Sequence, residues 1–114
     1  MHCVKIIYPK KDDTFFDFEH YFAVHLPLAL ASIKPYAKVL KVEVDKGEGG
    51  MSGMDDMPYH CICSVYFEGG DGAEGFRKLF ATPEDAKAVA DDIPNYTNAA
   101  VEFQFSETLP FSEI

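Results

Sequence analysis

The order of apolar and polar residues changes period several times along the chain. Cys3 to Tyr8 is a β-branched and aromatic run closed by Pro9, a first strand. Polar, turn-like residues follow to Asp13. From Phe15 to Ile33 the period is helical. Phe18, Tyr21, Phe22, His25, Leu28, Ala29 and Ser32 fall on one face, which Leu26 and Leu30 broaden. Thr14 and Asp17 form a capping box at its start. Pro27 lies nearly opposite the apolar stripe and should bend the helix by removing the bond to the Ala23 carbonyl; Pro35 stops it. Tyr36 to Asp45 alternates, with Leu40, Val42 and Val44 on one side and Lys41, Glu43 and Asp45 on a wetter one. Gly47 to Pro58 (GEGGMSGMDDMP) is a hairpin loop whose Met51, Met54 and Met57 offer a greasy lid. Tyr59 to Phe67 is apolar at nearly every position, the pattern of a strand buried on both faces. Asp71 caps a helix with Phe76, Leu79 and Phe80 on one side. Thr82-Pro83-Glu84-Asp85 restarts a helix that ends before Pro94. Asn98 to Glu107 is a last strand with Val101, Phe103 and Phe105 on one face.

This order predicts an α+β fold with a ferredoxin-like β-α-β-β-α-β layout, a four-stranded antiparallel sheet and a single domain over residues 1–114. Helices then cover one face of the sheet only. Strands one and three look apolar on both sides, so a second copy of the chain is the economical cover for the other face, and a homodimer is expected.

Composition narrows the partners. The formal charge is −9 and Arg77 is the one arginine, which argues against nucleic acid and against anionic membrane surfaces. The longest apolar run, Phe22 to Ile33, is broken by His25 and Pro27 and falls short of the roughly 20 residues of a membrane span. Met1-His2-Cys3-Val4-Lys5 leads straight into a strand without a signal-peptide pattern, so the protein is expected in the cytoplasm. The three cysteines contain no C-x-x-C; Cys61 and Cys63 share one strand face and read as small buried thiols. The four histidines show no H-x-H or H-E-x-x-H spacing, and no metal is expected. The glycine loop lacks G-x-G-x-x-G, because Ser52 stands where the third glycine would be. No G-x-S-x-G elbow is present. No cofactor is implied.

His25 is the sharpest chemical candidate. It interrupts an apolar helical stripe, and a neutral imidazole there can give or take a proton near neutral pH. Tyr21 lies one turn earlier on the same face, within reach of a shared cavity. In Asp92-Ile93-Pro94-Asn95-Tyr96-Thr97, Pro94 and Asn95 make a rigid turn that throws Tyr96 over the end of the sheet. Tyr59 and His60 begin the third strand and point to opposite faces, so one of them enters the helix-side cavity.

Tyr21-Phe22-Ala23-Val24-His25-Leu26-Pro27-Leu28 resembles the Y-x-x-x-H-x-P-L helix segment of the EthD family, which is named for its association with ethyl tert-butyl ether degradation. Asp92 to Thr97 resembles that family's segment before the last strand, and the Tyr8-Pro9 strand and Tyr59 to Phe67 fall where the family places them. The resemblance spans essentially the whole chain. It implies a dimeric α+β barrel of two facing sheets, akin to small cofactor-free isomerases, cyclases and monooxygenases. It also implies a pocket between helix and sheet with His25, Tyr21, Asn95 and Tyr96 at the recurrent positions. The function expected from it is cofactor-independent chemistry on a small hydrophobic, oxygenated compound, with His25 and Tyr21 catalytic and Tyr96, Asn95, Tyr59 and His60 contacting the substrate. The rival is a non-catalytic binding or accessory protein with the same pocket.

Overall fold

The computed structural model describes residues 1–112. Its elements are β1 (His2–Pro9), α1 (Phe18–His20), a π-helical turn (Tyr21–His25), α2 (Leu26–Ile33), β2 (Val39–Lys46), a 3₁₀ turn (Met54–Asp56), β3 (Tyr59–Phe67), α3 (Gly72–Ala81), α4 (Pro83–Tyr96) and β4 (Glu102–Glu107). All strand pairs are antiparallel in the order β2-β3-β1-β4, the split β-α-β arrangement that the periodicities predict. One layer of helix on one layer of sheet makes a plate measuring 43 × 41 × 21 Å.

Register decides which residues meet the helices. Val4 pairs with Val65 and Phe105, Ile6 with Cys63 and Phe103, and Tyr8 with Cys61. Val42 and Val44 join the same face from β2. The core between sheet and helices therefore comprises Val4, Tyr8, Cys61, Cys63, Val65 and Phe67 against Tyr21, Ile33, Phe76, Leu79, Ala86 and Tyr96. Gly72 lets α3 begin tight against β3, since a Cβ there would lie 2.1 Å from the Phe67 ring.

Several local features depart from the sequence expectation. Neither Asp71 nor Thr82 caps its helix through a side-chain bond; the Thr82 hydroxyl donates instead to the Lys78 carbonyl at 2.9 Å. The others each have a physical reason. The cap of the first helix is Asp17, whose carboxylate accepts from the His20 amide at 3.1 Å. Thr14 instead folds back on Lys11, because Phe16 is held in a bridge to Thr97 and the helix cannot start earlier. The bend assigned to Pro27 is absorbed one turn earlier. The Leu26 amide bonds the Tyr21 carbonyl five residues back, and Pro27 falls in the first turn of α2, where no donor is needed. Finally, α4 runs through Pro94 to Tyr96. A proline in the last turn forfeits one bond only, and burial of Asp92 and Tyr96 on the inner side carries the helix past it.

The helix-free face of β1 and β3 is mixed rather than wholly apolar. Lys5 Nζ donates to Ser64 Oγ at 2.7 Å, and Lys5 and Lys41 sit over the Tyr66 ring at 5.6 and 4.6 Å from its centroid. Their aliphatic stems shield Ser64, and Ile7 pairs with Ile62 beside them. The three cysteines are free and buried. Among the described residues, no helix is long and apolar enough to cross a membrane.

Candidate functional site

The π turn shapes the site. In a regular α-helix, residues five apart point roughly 140° away from each other. The wider turn brings His20 and His25 to one side, and both imidazoles reach the same carboxylate. Asp92 Oδ1 bonds His20 Nε2 at 2.8 Å, and Oδ2 bonds His25 Nδ1 at 3.0 Å. Asn95 Nδ2 donates to Oδ1 at 3.0 Å. Asp92 and Tyr96 are one helical turn apart on α4, so the same inner side also delivers the Tyr96 hydroxyl to His25 Nε2 at 3.1 Å. Tyr96 and Tyr8 hydroxyls then meet at 3.0 Å. Two aromatic rings frame the imidazole: Tyr21 stacks on it at 5.6 Å and Tyr96 packs against it at 4.4 Å between centroids.

Electrostatics follow from burial. Burial lowers the His25 pKa, and the hydrogen bond and charge of Asp92 oppose it without cancelling it, so the ring is neutral near pH 7. Burial works against ionised Asp92, yet the bonds from Asn95, His20 and His25 win and hold its carboxyl below the usual range. Burial pushes the Tyr8 hydroxyl up to about 12 and raises Tyr21 and Tyr96 further, so all three stay phenols. Burial likewise raises the Cys61 thiol, to about 12, and the Cys63 thiol, leaving neither as a nucleophile.

Next to this chain lie two adjoining cavities, or lobes, of about 40 Å³ each, both lined by Ile6, Tyr8, His25, Ala29, Phe76, Phe80 and Val89. Tyr21 and Cys63 line the first lobe; Tyr96 and Phe103 line the second. Each lobe has room for a few waters, whereas a cavity that takes up benzene measures about 150 Å³. The wall toward solvent comprises Leu30, Phe80 and Phe103, exposed by 38%, 39% and 45%.

The structure thus places His25 in the wall of both lobes, Tyr21 in the first and Tyr96 in the second. Asn95 is present behind it, holding Asp92. His60 lies outside: its Nε2 meets Thr14 Oγ1 at 2.8 Å and its ring stacks on Phe16. Tyr59 lines a separate crevice with Gly47, Met57 and Pro58. The methionine loop does not line either lobe; Met51 and Met54 stand in solvent. Sequence reasoning missed Asp92, His20 and Tyr8 as site residues. Asp92 already falls on the inner face with Val89 in the expected helix, and extending that helix past Pro94 adds Tyr96 to the same face. Among the described residues no group of three His, Cys, Asp or Glu is placed to hold a metal ion.

The EthD domain model matches residues 10–100, most of the chain and all of the helical segment that carries His20, His25, Asp92 and Tyr96. The chain belongs to the EthD family. An EthD-like protein from Ralstonia eutropha is 25% identical, superposes with a TM-score of 0.77, and the match covers 98% of this chain and 95% of the other. An EthD family protein from Bacillus halodurans is 18% identical with a TM-score of 0.64, over 96% and 99% of the two chains. A protein from Agrobacterium tumefaciens is 17% identical with a TM-score of 0.59, over 100% and 99%. The last two bear on the fold of this EthD protein alone. No curated protein matches it.

Proposed function

We propose that this EthD-family protein is a cofactor-independent enzyme, of isomerase, cyclase or monooxygenase type, that moves a proton on a small, uncharged, oxygenated hydrophobic compound. The observation that carries this reading is the His25–Asp92 pair buried at the edge of an apolar cavity: a neutral base with its second nitrogen anchored to a carboxylate. Positioned acid–base groups contribute about 10²- to 10⁴-fold, on the scale that enolisation and ring closure require. The lining also limits the substrate. Its polar groups are confined to one edge, at His25 and the tyrosines, which suits an apolar body with a single keto or hydroxyl oxygen. Neither Lys nor Arg lines either lobe, so a carboxylate ligand would enter uncompensated. A ring-sized ligand requires Phe80 and its neighbours to swing outward.

The active form is a homodimer whose helix-free faces meet. Lys5 and Lys41 lie on that face with Glu43, Asp45 and Glu102, so two copies related by a two-fold axis can set opposite charges against each other around Ile7 and Ile62. Three free, buried thiols suit a reducing cytoplasm.

The test is hydrogen exchange at carbon. Cyclic ketones and lactones with an acidic C–H are incubated with the protein in D₂O and followed by proton NMR. Faster deuterium uptake with wild type than with His25→Leu is expected. Compounds that bind at His25, seen by shifts of its ring resonances, yet exchange no faster than in buffer would make the protein a binding protein.

A further inference from the structure

Both nitrogens of His25 are occupied. Nδ1 faces the Asp92 carboxylate, which can only accept, so Nδ1 carries the hydrogen and Nε2 is the acceptor. Nε2 must then receive the Tyr96 hydroxyl hydrogen, and the Tyr96 oxygen in turn receives that of Tyr8. One direction runs through the whole chain: Tyr8 donates to Tyr96, Tyr96 to His25, and His25 to Asp92. No nitrogen is left to meet a ligand. The residue at the end of the path is Tyr8, which lies beside the Tyr21 hydroxyl, is 2% exposed to bulk solvent and is present in the wall of both lobes.

We infer that Tyr8 is the catalytic residue that touches the substrate's proton, and that Tyr8, Tyr96 and His25 form a path that carries the proton to His25 while Asp92 positions the imidazole. This rests on the proton-transfer reading above and adds the group that executes it. The step balances. The substrate's acidic hydrogen moves to the Tyr8 oxygen as the Tyr8 hydrogen moves to Tyr96 and the Tyr96 hydrogen moves to His25 Nε2. The substrate becomes an enolate or phenolate, His25 becomes imidazolium against Asp92, and both tyrosines remain phenols. Every hydrogen bond in the path has then reversed and points toward the atom that gave up the proton; where that atom is the oxygen of a phenol, Tyr8 now stabilises the new oxyanion as a donor. Burial raises both phenols, so neither retains the negative charge. The charges created together, imidazolium and oxyanion, sum to zero, consistent with a cavity that offers no lysine or arginine.

The probe is 4-nitrophenol, whose anion absorbs in the visible. It is titrated, at a pH below its own pKa, into the wild type and into Phe80→Ala, whose shorter side chain adds room away from the path. Tyr8→Phe, Tyr96→Phe and His25→Gln are measured alongside. The tyrosine variants keep their rings and their packing, and circular dichroism checks each fold. Bound probe is expected to ionise in the wild type or in Phe80→Ala. Each variant should lower the ratio of bound phenolate to bound phenol by about tenfold, the scale of one charge-assisted hydrogen bond. The Tyr8→Phe/Tyr96→Phe double variant should lower it no further than either alone, because a path cut once is cut. Wild-type ionisation in Tyr8→Phe, with loss in His25→Gln, would overturn the role of Tyr8 and leave His25 as a direct base. Losses that add in the double variant would also overturn the path, by making the hydroxyls independent contacts. Failure of the probe to bind to the wild type and to Phe80→Ala would overturn the ligand reading itself, and this inference with it.

Discussion

On the helix-facing side of β1, Val4, Ile6 and Tyr8 stand against rings and thiols, and the Tyr8 hydroxyl enters a hydrogen-bond chain that ends on Asp92. On the other side of the same strand, Cys3, Lys5 and Ile7 alternate with them, and Lys5 reaches Ser64 and Tyr66 beneath a surface open to solvent. Both faces hold polar groups next to aromatic rings. They differ in whether water can replace a lost partner. On the open face the ammonium of Lys5 can turn to water when its contact with the shielded Ser64 is lost, whereas a break in the Asp92 chain leaves buried polar atoms on both sides with nothing to bond. A base of altered proton affinity needs the dry face, where burial shifts its pKa.

The largest expected difference is in packing. Tyr96→Ala should destabilise the fold by about 3–5 kcal/mol in urea unfolding, since its ring is fully buried among Tyr8, Phe16, Tyr21 and His25. Tyr66→Ala, on the open face, should cost less than half as much. Equal losses would remove the contrast between the faces.

Next comes the charge. Asp92→Asn retains the shape and removes the anion that accepts from His20, His25 and Asn95. A loss of about 2 kcal/mol is expected, against less than about 0.5 kcal/mol for Glu43→Gln on the open face. The pH dependence has a definite sign. Unfolded His25 takes up its proton near 6.5, while the folded ring does so only at lower pH, so stability falls as pH drops below about 6.5. Asp92 acts in the same direction lower down: its carboxyl is held below 3.8 in the fold, so its contribution is present above that range and disappears with further acid. His25→Leu should flatten the upper part of this acid limb in thermal melts recorded across the pH range, while Lys5→Gln should leave it unchanged.

Most of the fold was legible because burial and period agree. Val42, Val44, Phe103 and Phe105 announce strands by alternation, and Pro83 announces a helix by its place in the first turn, although the Thr82 hydroxyl bonds back to Lys78 and does not cap it. The site was half legible. His25 and Tyr21 follow from a stripe with a polar interruption, which local spacing can show. Asp92 was hidden because an acid near a helix end reads as solvated until packing brings His20 and His25 to it, and the helical place of Tyr96 was hidden because Pro94 is a stop signal that tertiary burial overrode here. Tyr8 was hidden because a strand tyrosine next to a proline looks like any core aromatic until register sets it beside Tyr96. The π turn has no sequence signature beyond Pro27.

A smaller effect concerns the open face alone. The chain should scatter light as about twice its 12.7 kDa at micromolar concentration, and Lys5→Glu with Lys41→Glu should shift it toward monomer by setting acid against acid. The His25 resonances should not move in that variant. A monomeric wild type would remove the dimer, and a perturbed His25 would mean that the two faces are coupled.

The central claim, a single direction of hydrogen bonding from Tyr8 to Asp92, is tested most directly by nitrogen-15 NMR of the histidine side chains at neutral pH. His25 is expected to be neutral with its hydrogen on Nδ1, Nε2 to have the shift of an acceptor, and the Tyr96 hydroxyl hydrogen to be protected from exchange and coupled to that nitrogen. A neutral ring with its hydrogen on Nε2, or a His25 that titrates like a solvent-exposed imidazole, would contradict it.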